Sequence, residues 1–390
     1  MKPRTAIVFA IAATVTMLAF ADPGFAAANN VMNANVKGGI TGHGIDQPFG
    51  AVKVCVPGST TQCQIISGLL IDTGSFGLRI FSQALTVHLP PQMSGPDRVG
   101  ECAFFGSVTA WGRVATADVT MGGEPTIQSL PVQIINNNFP AVGHRPKNCN
   151  DGAPFARSPQ QLNFNGILGV GLMQYDGGAG TKYYTCTATH CALTTQPFEL
   201  QVQNPVALLP VDNNGVMLSF ARPPTNGVSR LTGQLVFGIN TQSNNQIPGT
   251  FKVYTADGNL QFTTLFQGRT LTGFIDSGSN GFFYDNPKLP VCSFAPPWYC
   301  PATPTDQHPT NQGSDGLSTG VVDFTIANAE NLFLTGNAAF FDLGANHVVP
   351  SDMFDWGLPF FLGRRVFVGI DGMTISGVTE SPPFWAYKSN

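Results

Sequence analysis

Leu69-Leu70-Ile71-Asp72-Thr73-Gly74-Ser75-Phe76-Gly77 returns later in the chain as Gly273-Phe274-Ile275-Asp276-Ser277-Gly278-Ser279-Asn280-Gly281. Each copy is an apolar run that ends in Asp-Thr/Ser-Gly-Ser-x-Gly. A buried apolar strand fixes the carboxylate at its end, and glycine permits the tight turn that brings backbone amides up to it. A single copy would be read as an Asx-turn, a common structural use of Asp. A second element also recurs, Phe164-Asn165-Gly166-Ile167-Leu168-Gly169-Val170 and Pro359-Phe360-Phe361-Leu362-Gly363. Asp72 precedes Gly169 by 97 residues and Asp276 precedes Gly363 by 87. The same two signals in the same order make the chain two related halves.

Two related Asp loops change the chemistry expected of either, because pseudo-symmetry can bring both carboxyls to one axis. Two carboxyls sharing a site cannot both ionise easily, so the pair holds one proton. The ionised member can then take a proton from water while the protonated one polarises a carbonyl. That is general acid–base hydrolysis of an amide, with water as nucleophile.

On these motifs the chain resembles the pepsin-like aspartic protease family. Asp72-Thr73-Gly74-Ser75 and Asp276-Ser277-Gly278-Ser279 match its two catalytic signatures. Ile167-Leu168-Gly169 and Phe361-Leu362-Gly363 match the elements that cross beneath each catalytic loop. Gly215 to Phe220 followed by Gly233 to Gly238 resembles the strand and hairpin opening the second lobe. The resemblance spans about residues 69–370. It implies an all-β fold of two pseudo-symmetric lobes with a central cleft, residues 29–214 and 215–390. It also implies that Asp72 and Asp276 are the catalytic pair. Thr73 and Ser277 would form the hydroxyl network between the loops, and Ser75 and Ser279 would donate to the carboxylates, keeping activity acidic. The flap would lie near Phe104 to Gly112, with Phe105 where the family has a tyrosine and Gly106 beside it. A peptide or protein substrate, no cofactor, no metal and a monomer are what the family implies.

This chain departs from the family at three places. Arg79 stands where a tryptophan is usual, and that tryptophan normally hydrogen-bonds to the absent flap tyrosine, so the flap must be positioned differently. Arg364-Arg365 follow the second Leu-Gly where an Asp is usual. Only 43 residues separate residue 29 from Asp72, which leaves little room for a propeptide. In that respect the chain resembles bacterial members without a prosegment, and an uncharacterised bacterial pepsin-like family. Plant relatives with damaged sites inhibit glycosidases, so a non-catalytic binding or inhibitor-type protein is the alternative. A hydrolase turning the same dyad on a non-peptide substrate is a third.

Composition agrees with a β-rich body. Of 390 residues only 11% are charged, with Lys+Arg 19 against Asp+Glu 23. Just 5 of the acidic residues are Glu, so strong helix formers are scarce. A helical bundle, a coiled coil and a basic nucleic-acid binder are all disfavoured, and 30 Phe argue against disorder. Short β-type runs such as Thr116 to Met121, Val216 to Phe220, Gln234 to Phe237, Val321 to Ile326 and Val366 to Ile370 are punctuated by Gly, Pro and Asn. Asn136 to Asn163, Tyr175 to Cys191 and Pro290 to Thr319 read as long surface loops.

Residues 1–28 read as a secretory signal. Lys2 and Arg4 precede the apolar stretch Ala6 to Ala21, and small residues follow at Gly24 and Ala26 to Ala28. That stretch is short for a transmembrane span of roughly 20 residues. Export to a bacterial periplasm or the medium is expected, with no membrane span after signal removal. None of the 27 Asn lies in an N-x-Ser/Thr context, in keeping with a bacterial source. Eight cysteines suit an oxidising compartment. Proximity pairs Cys55 with Cys63, Cys186 with Cys191 and Cys292 with Cys300, leaving Cys102 for Cys149, although spacing alone does not fix connectivity. No C-x-x-C or H-x-x-x-H pair supports a metal site. The Asp276 loop also fails as a calcium loop, having Gly278 at its third position and Pro287 at its twelfth. Gly169-Val170-Gly171 lacks the third glycine and βαβ context of a dinucleotide fingerprint.

Overall fold

The computed structural model describes residues 30–177 and 180–389, so the expected signal segment lies outside the described residues. The fold is all-β, as composition indicates, with two α-helices of only 4 and 6 residues among the described residues.

In the first half of the chain six strands close on themselves. Pro48–Cys55 pairs with Cys63–Asp72, which pairs in parallel with Gly166–Val170. Next come Phe76–Phe81, Ile127–Ile135 and Thr109–Met121, and the last returns to Pro48–Cys55. Closure leaves these strands without free edges. Their inward side chains, including Val52, Leu69, Leu78, Val119, Leu130 and Leu168, are fully buried. In the second half a seven-stranded sheet is built around Arg269–Ile275, Met353–Trp356 and Phe282–Tyr284. The strand Val31–Lys37 pairs along its whole length with Arg230–Phe237, so one continuous sheet carries both halves.

The Asp72 loop joins Cys63–Asp72 to Phe76–Phe81, and Gly166–Val170 runs between those two strands, with Asp72 opposite Gly169 and Phe76 opposite Val170. The element predicted to cross beneath the first loop is therefore where the sequence put it. For the second loop the prediction fails. The strand between Arg269–Ile275 and Phe282–Tyr284 is Met353–Trp356, with Ile275 opposite Trp356. The counterpart of Ile167-Leu168-Gly169 is thus Asp355-Trp356-Gly357. Phe361-Leu362-Gly363 instead lies at the end of the short helix Leu358–Phe361, and Leu362 bridges to Phe220. Asp355-Trp356-Gly357 breaks the apolar-apolar-Gly pattern at its first position, so the pattern points to Phe361-Leu362-Gly363 and tertiary pairing overrules it.

The loop assignments also need revision. Tyr175 to Cys191 contains the strand Lys182–Cys186, Pro290 to Thr319 contains Thr305–Gln307 and Thr310–Gln312, and Asn136 to Asn163 ends in the helix Pro159–Leu162. Val321 to Ile326 is split between Thr319–Val321 and Phe324–Ile326. The disulfides are Cys55–Cys63, Cys102–Cys149, Cys186–Cys191 and Cys292–Cys300, the pairing that proximity suggests. No helix among the described residues is long and apolar enough to cross a membrane.

Candidate active site

Asp72 and Asp276 meet. A side chain built on Gly74 would place its Cβ 2.6 Å from the Asp276 carboxyl carbon, and one on Gly278 would fall 2.8 Å from that of Asp72. Each loop glycine is therefore the space into which the other loop's carboxyl fits, a close approach only glycine allows. Within each loop the carboxylate is held twice. Gly74 N–H donates to Asp72 Oδ1 at 2.8 Å and Ser75 Oγ to Oδ2 at 2.5 Å. Gly278 N–H donates to Asp276 Oδ1 at 2.7 Å and Ser279 Oγ to Oδ2 at 2.7 Å.

Thr73 and Ser277 tie the loops to each other. Ser277 N–H donates to Thr73 Oγ1 at 2.9 Å and Thr73 N–H to Ser277 Oγ at 3.1 Å. Each hydroxyl passes its own proton to the opposite strand, Ser277 Oγ to the Ile71 carbonyl at 2.8 Å and Thr73 Oγ1 to the Ile275 carbonyl at 3.4 Å. Both residues are almost fully buried, so leaving either hydroxyl without its partner would cost about 1–3 kcal/mol.

The electrostatics follow from burial. Asp72 is 6% exposed, and its pKa is raised well above the carboxylate range, first by burial, then by the Asp276 charge and a hydrogen bond between the two carboxyls. Ser75 and Gly74 pull the other way and are outweighed. The serines alone, as read from sequence, would have kept this carboxyl acidic. Two carboxyls this close resist ionising together.

The dyad forms the floor of a cavity of about 620 Å³. Phe105 and Gly106 line it from the tip of the hairpin between Asp97–Phe104 and Thr109–Met121, which Phe105 N–H closes onto the Val108 carbonyl at 2.9 Å. Phe76 lines the cavity as well. Trp111 does not; it is buried against Phe139, Tyr184 and the Cys102–Cys149 disulfide.

Arg79, noted in the sequence as a departure, is buried at 2% exposure. Its Nη2 donates to Glu101 Oε1 at 2.8 Å and to Asp176, its Nη1 donates to the Phe76 carbonyl, and Tyr183 closes the cluster by donating to Asp176. The guanidinium carbon lies 5.5 Å from the centre of the Phe105 ring. The flap side chain thus rests on a cation.

Among the cavity-lining groups that sequence reading missed are Asp176 and Asp355, the latter 2% exposed on the strand beneath the second loop. A lone Asp within Met353-Phe354-Asp355-Trp356 was the available signal. Among the described residues one grouping has ligand atoms close enough to hold a cation, Cys292, Cys300 and Glu330, and both sulfurs are spent in a disulfide.

The chain belongs to the family described as protein of unknown function (DUF3443), whose profile matches residues 26–387. No curated protein matches it.

Proposed function

We propose that the protein is an exported aspartic endopeptidase of the pepsin-like type, its two halves forming lobes around the cleft that carries Asp72 and Asp276. The observation that carries this reading is the mutual packing of the two Asp-Thr/Ser-Gly-Ser loops, which brings two carboxyls, each held by a serine hydroxyl and a glycine amide, together in one cavity. One carboxylate takes a proton from a water between them while the remaining acid proton polarises the scissile carbonyl. Held serine hydroxyls and glycine amides keep both carboxyls aimed at that water, so no reorganisation is needed as charge develops. An extended substrate would add its backbone as a strand beneath the Phe105–Gly106 tip. The four disulfides suit an oxidising compartment outside the cytoplasm.

The test uses residues 29–390 with disulfides formed, incubated with a mixed peptide library from about pH 3 to pH 7. Pepstatin-sensitive cleavage is expected, falling by at least roughly 10²-fold in Asp72→Asn and in Asp276→Asn. Absence of cleavage by folded protein across that range would overturn the reading.

A further inference from the structure

The strands beneath the two Asp loops carry matching rows of side chains. In the first half Ile167 is opposite Leu70 on one side and Arg79 on the other. In the second half Asp355 is opposite Phe274 and Phe283. Directly paired residues of neighbouring strands share a face, and all six line the cavity. Each row therefore holds one charged residue, and the two are treated very differently. Arg79 is neutralised by Glu101 and Asp176. Among the described residues Asp355 has no salt-bridge partner, and its Oδ1 has no hydrogen-bond partner. The charges acting on it are carboxylates, Asp276 and then Asp72, and the hydroxyl of Ser279 is its hydrogen-bonding neighbour.

A buried carboxyl with an unpaired oxygen costs stability unless something completes it. Structurally, an apolar residue such as the Ile167 of the other row would fill this place without that cost. Asp355 lines the cavity beside Asp72 and Asp276, and among the described residues none of these three carboxyls is in a salt bridge, the cavity's Arg79 being paired with Glu101 and Asp176. We propose that Asp355 recognises a basic side chain, the ammonium or guanidinium of a Lys or Arg residue, carried by a peptide lying across the dyad. The row of Leu70, Ile167 and the already paired Arg79 takes the side chain on one side of the dyad, and Phe274, Asp355 and Phe283 take the one on the other. In that second site the two phenyl rings pack the aliphatic stem, and the arriving cation draws Asp355, whose pKa burial and then Asp276 raise well above the carboxylate range, into its ionised form to pair with the charged tip.

The proposal rests on the reading that the cleft takes an extended peptide, and it is tested without relying on hydrolysis. The Asp72→Asn variant of the full mature chain is titrated by calorimetry, at about pH 5, with peptide mixtures that share a central Phe followed by Lys, Arg, Gln or norleucine. Binding of the Lys and Arg sets at least about tenfold tighter than the norleucine set is expected. In the same background Asp355→Ile, which copies the other row, should abolish or invert that ratio, and Asp355→Asn, which keeps the size and hydrogen-bonding capacity, should abolish it as well. Equal affinities in the parent variant, or a basic preference that persists in Asp355→Ile, would overturn the proposal, as would failure of every peptide to bind. Basic-selective binding by a protein that cleaves nothing would support the subsite and sink the hydrolytic reading. Cleavage without any basic preference would do the reverse.

Discussion

Replacing Arg79 with Met should destabilise the fold strongly at neutral pH and much less in acid. The side chain is of similar length and apolar, so the space is kept while the cation is lost. Glu101 and Asp176 are left facing each other at 0% and 2% exposure, and the Phe76 carbonyl loses its donor. Breaking a buried ion pair by removing one partner costs about 3–5 kcal/mol, because the remaining charge stays uncompensated. Without Arg79 the two carboxylates can relieve that cost by binding a proton. Burial and Asp176 already push Glu101 above its ordinary range, and Arg79 is the main influence holding it down. A carboxyl whose folded pKa is raised binds its proton more readily in the folded state. Its relative stabilisation is complete below the unfolded value and is lost as pH rises through the folded one. Each proton involved changes stability by at most about 1.4 kcal/mol per pH unit. Urea unfolding of the parent and Arg79→Met proteins at pH 7 and pH 4 measures both quantities. A loss below about 1 kcal/mol at pH 7, or a loss equal at the two pH values, would refute the reasoning, the scale being that of a surface pair. Phe105 also loses a contact worth about 0.5–1 kcal/mol, which on the proposed peptidase reading gives a rise in KM of roughly two- to fivefold.

Two further outcomes concern stability. Glu124 is pushed up to about 7 by burial and by Asp212; being raised, it favours the folded state below its ordinary value of 4.5 and withdraws that support as pH climbs through 7. Glu124→Gln should therefore flatten the dependence of the urea midpoint on pH between 5 and 8, and an unchanged slope would count against this. The Cys102–Cys149 bridge closes a 47-residue loop, against 8 residues for Cys55–Cys63. Loop-closure entropy gives about 4 kcal/mol for the longer and about 2.5 kcal/mol for the shorter. The double alanine variant of the first should accordingly lose more in thermal unfolding than that of the second.

The Asp loops and the strand under the first were legible because each is a local run whose identity needs no partner. What escaped the sequence depends on pairing at a distance. Phe361-Leu362-Gly363 keeps the apolar-apolar-Gly pattern and Asp355-Trp356-Gly357 breaks it with a charge, yet the register against Phe274 and Ile275 selects the latter. Arg79 stood out as a departure, yet its partners are 22 and 97 residues away, and nothing in the spacing marks Glu101 or Asp176 as its counter-ions. Thr305–Gln307 and Thr310–Gln312 read as loop because they are short and polar with no apolar alternation. Such strands exist because Phe324–Ile326 and Phe262–Phe266 offer them a ladder.

The pairing of Val31–Lys37 with Arg230–Phe237 sets a timetable for the chain. Apart from the short pairing of Asn35 and Val36 with Phe49 and Pro48, a strand at the start of the described fold finds its full-length partner only after some 200 further residues have been made, as the 207-residue separation of Asn30 and Phe237 shows. At a synthesis rate of roughly 5–20 residues per second, that interval is about 10–40 s. Throughout it the long edge waits unpaired, with Met32, Ala34 and Val36 destined for the core and meanwhile in water. The first half can close its own barrel in that time, but the last seam joining both halves must be made after the second half arrives. Late, non-local pairing of this kind folds slowly, and the newborn chain is at its most vulnerable to strand-mediated association during that wait.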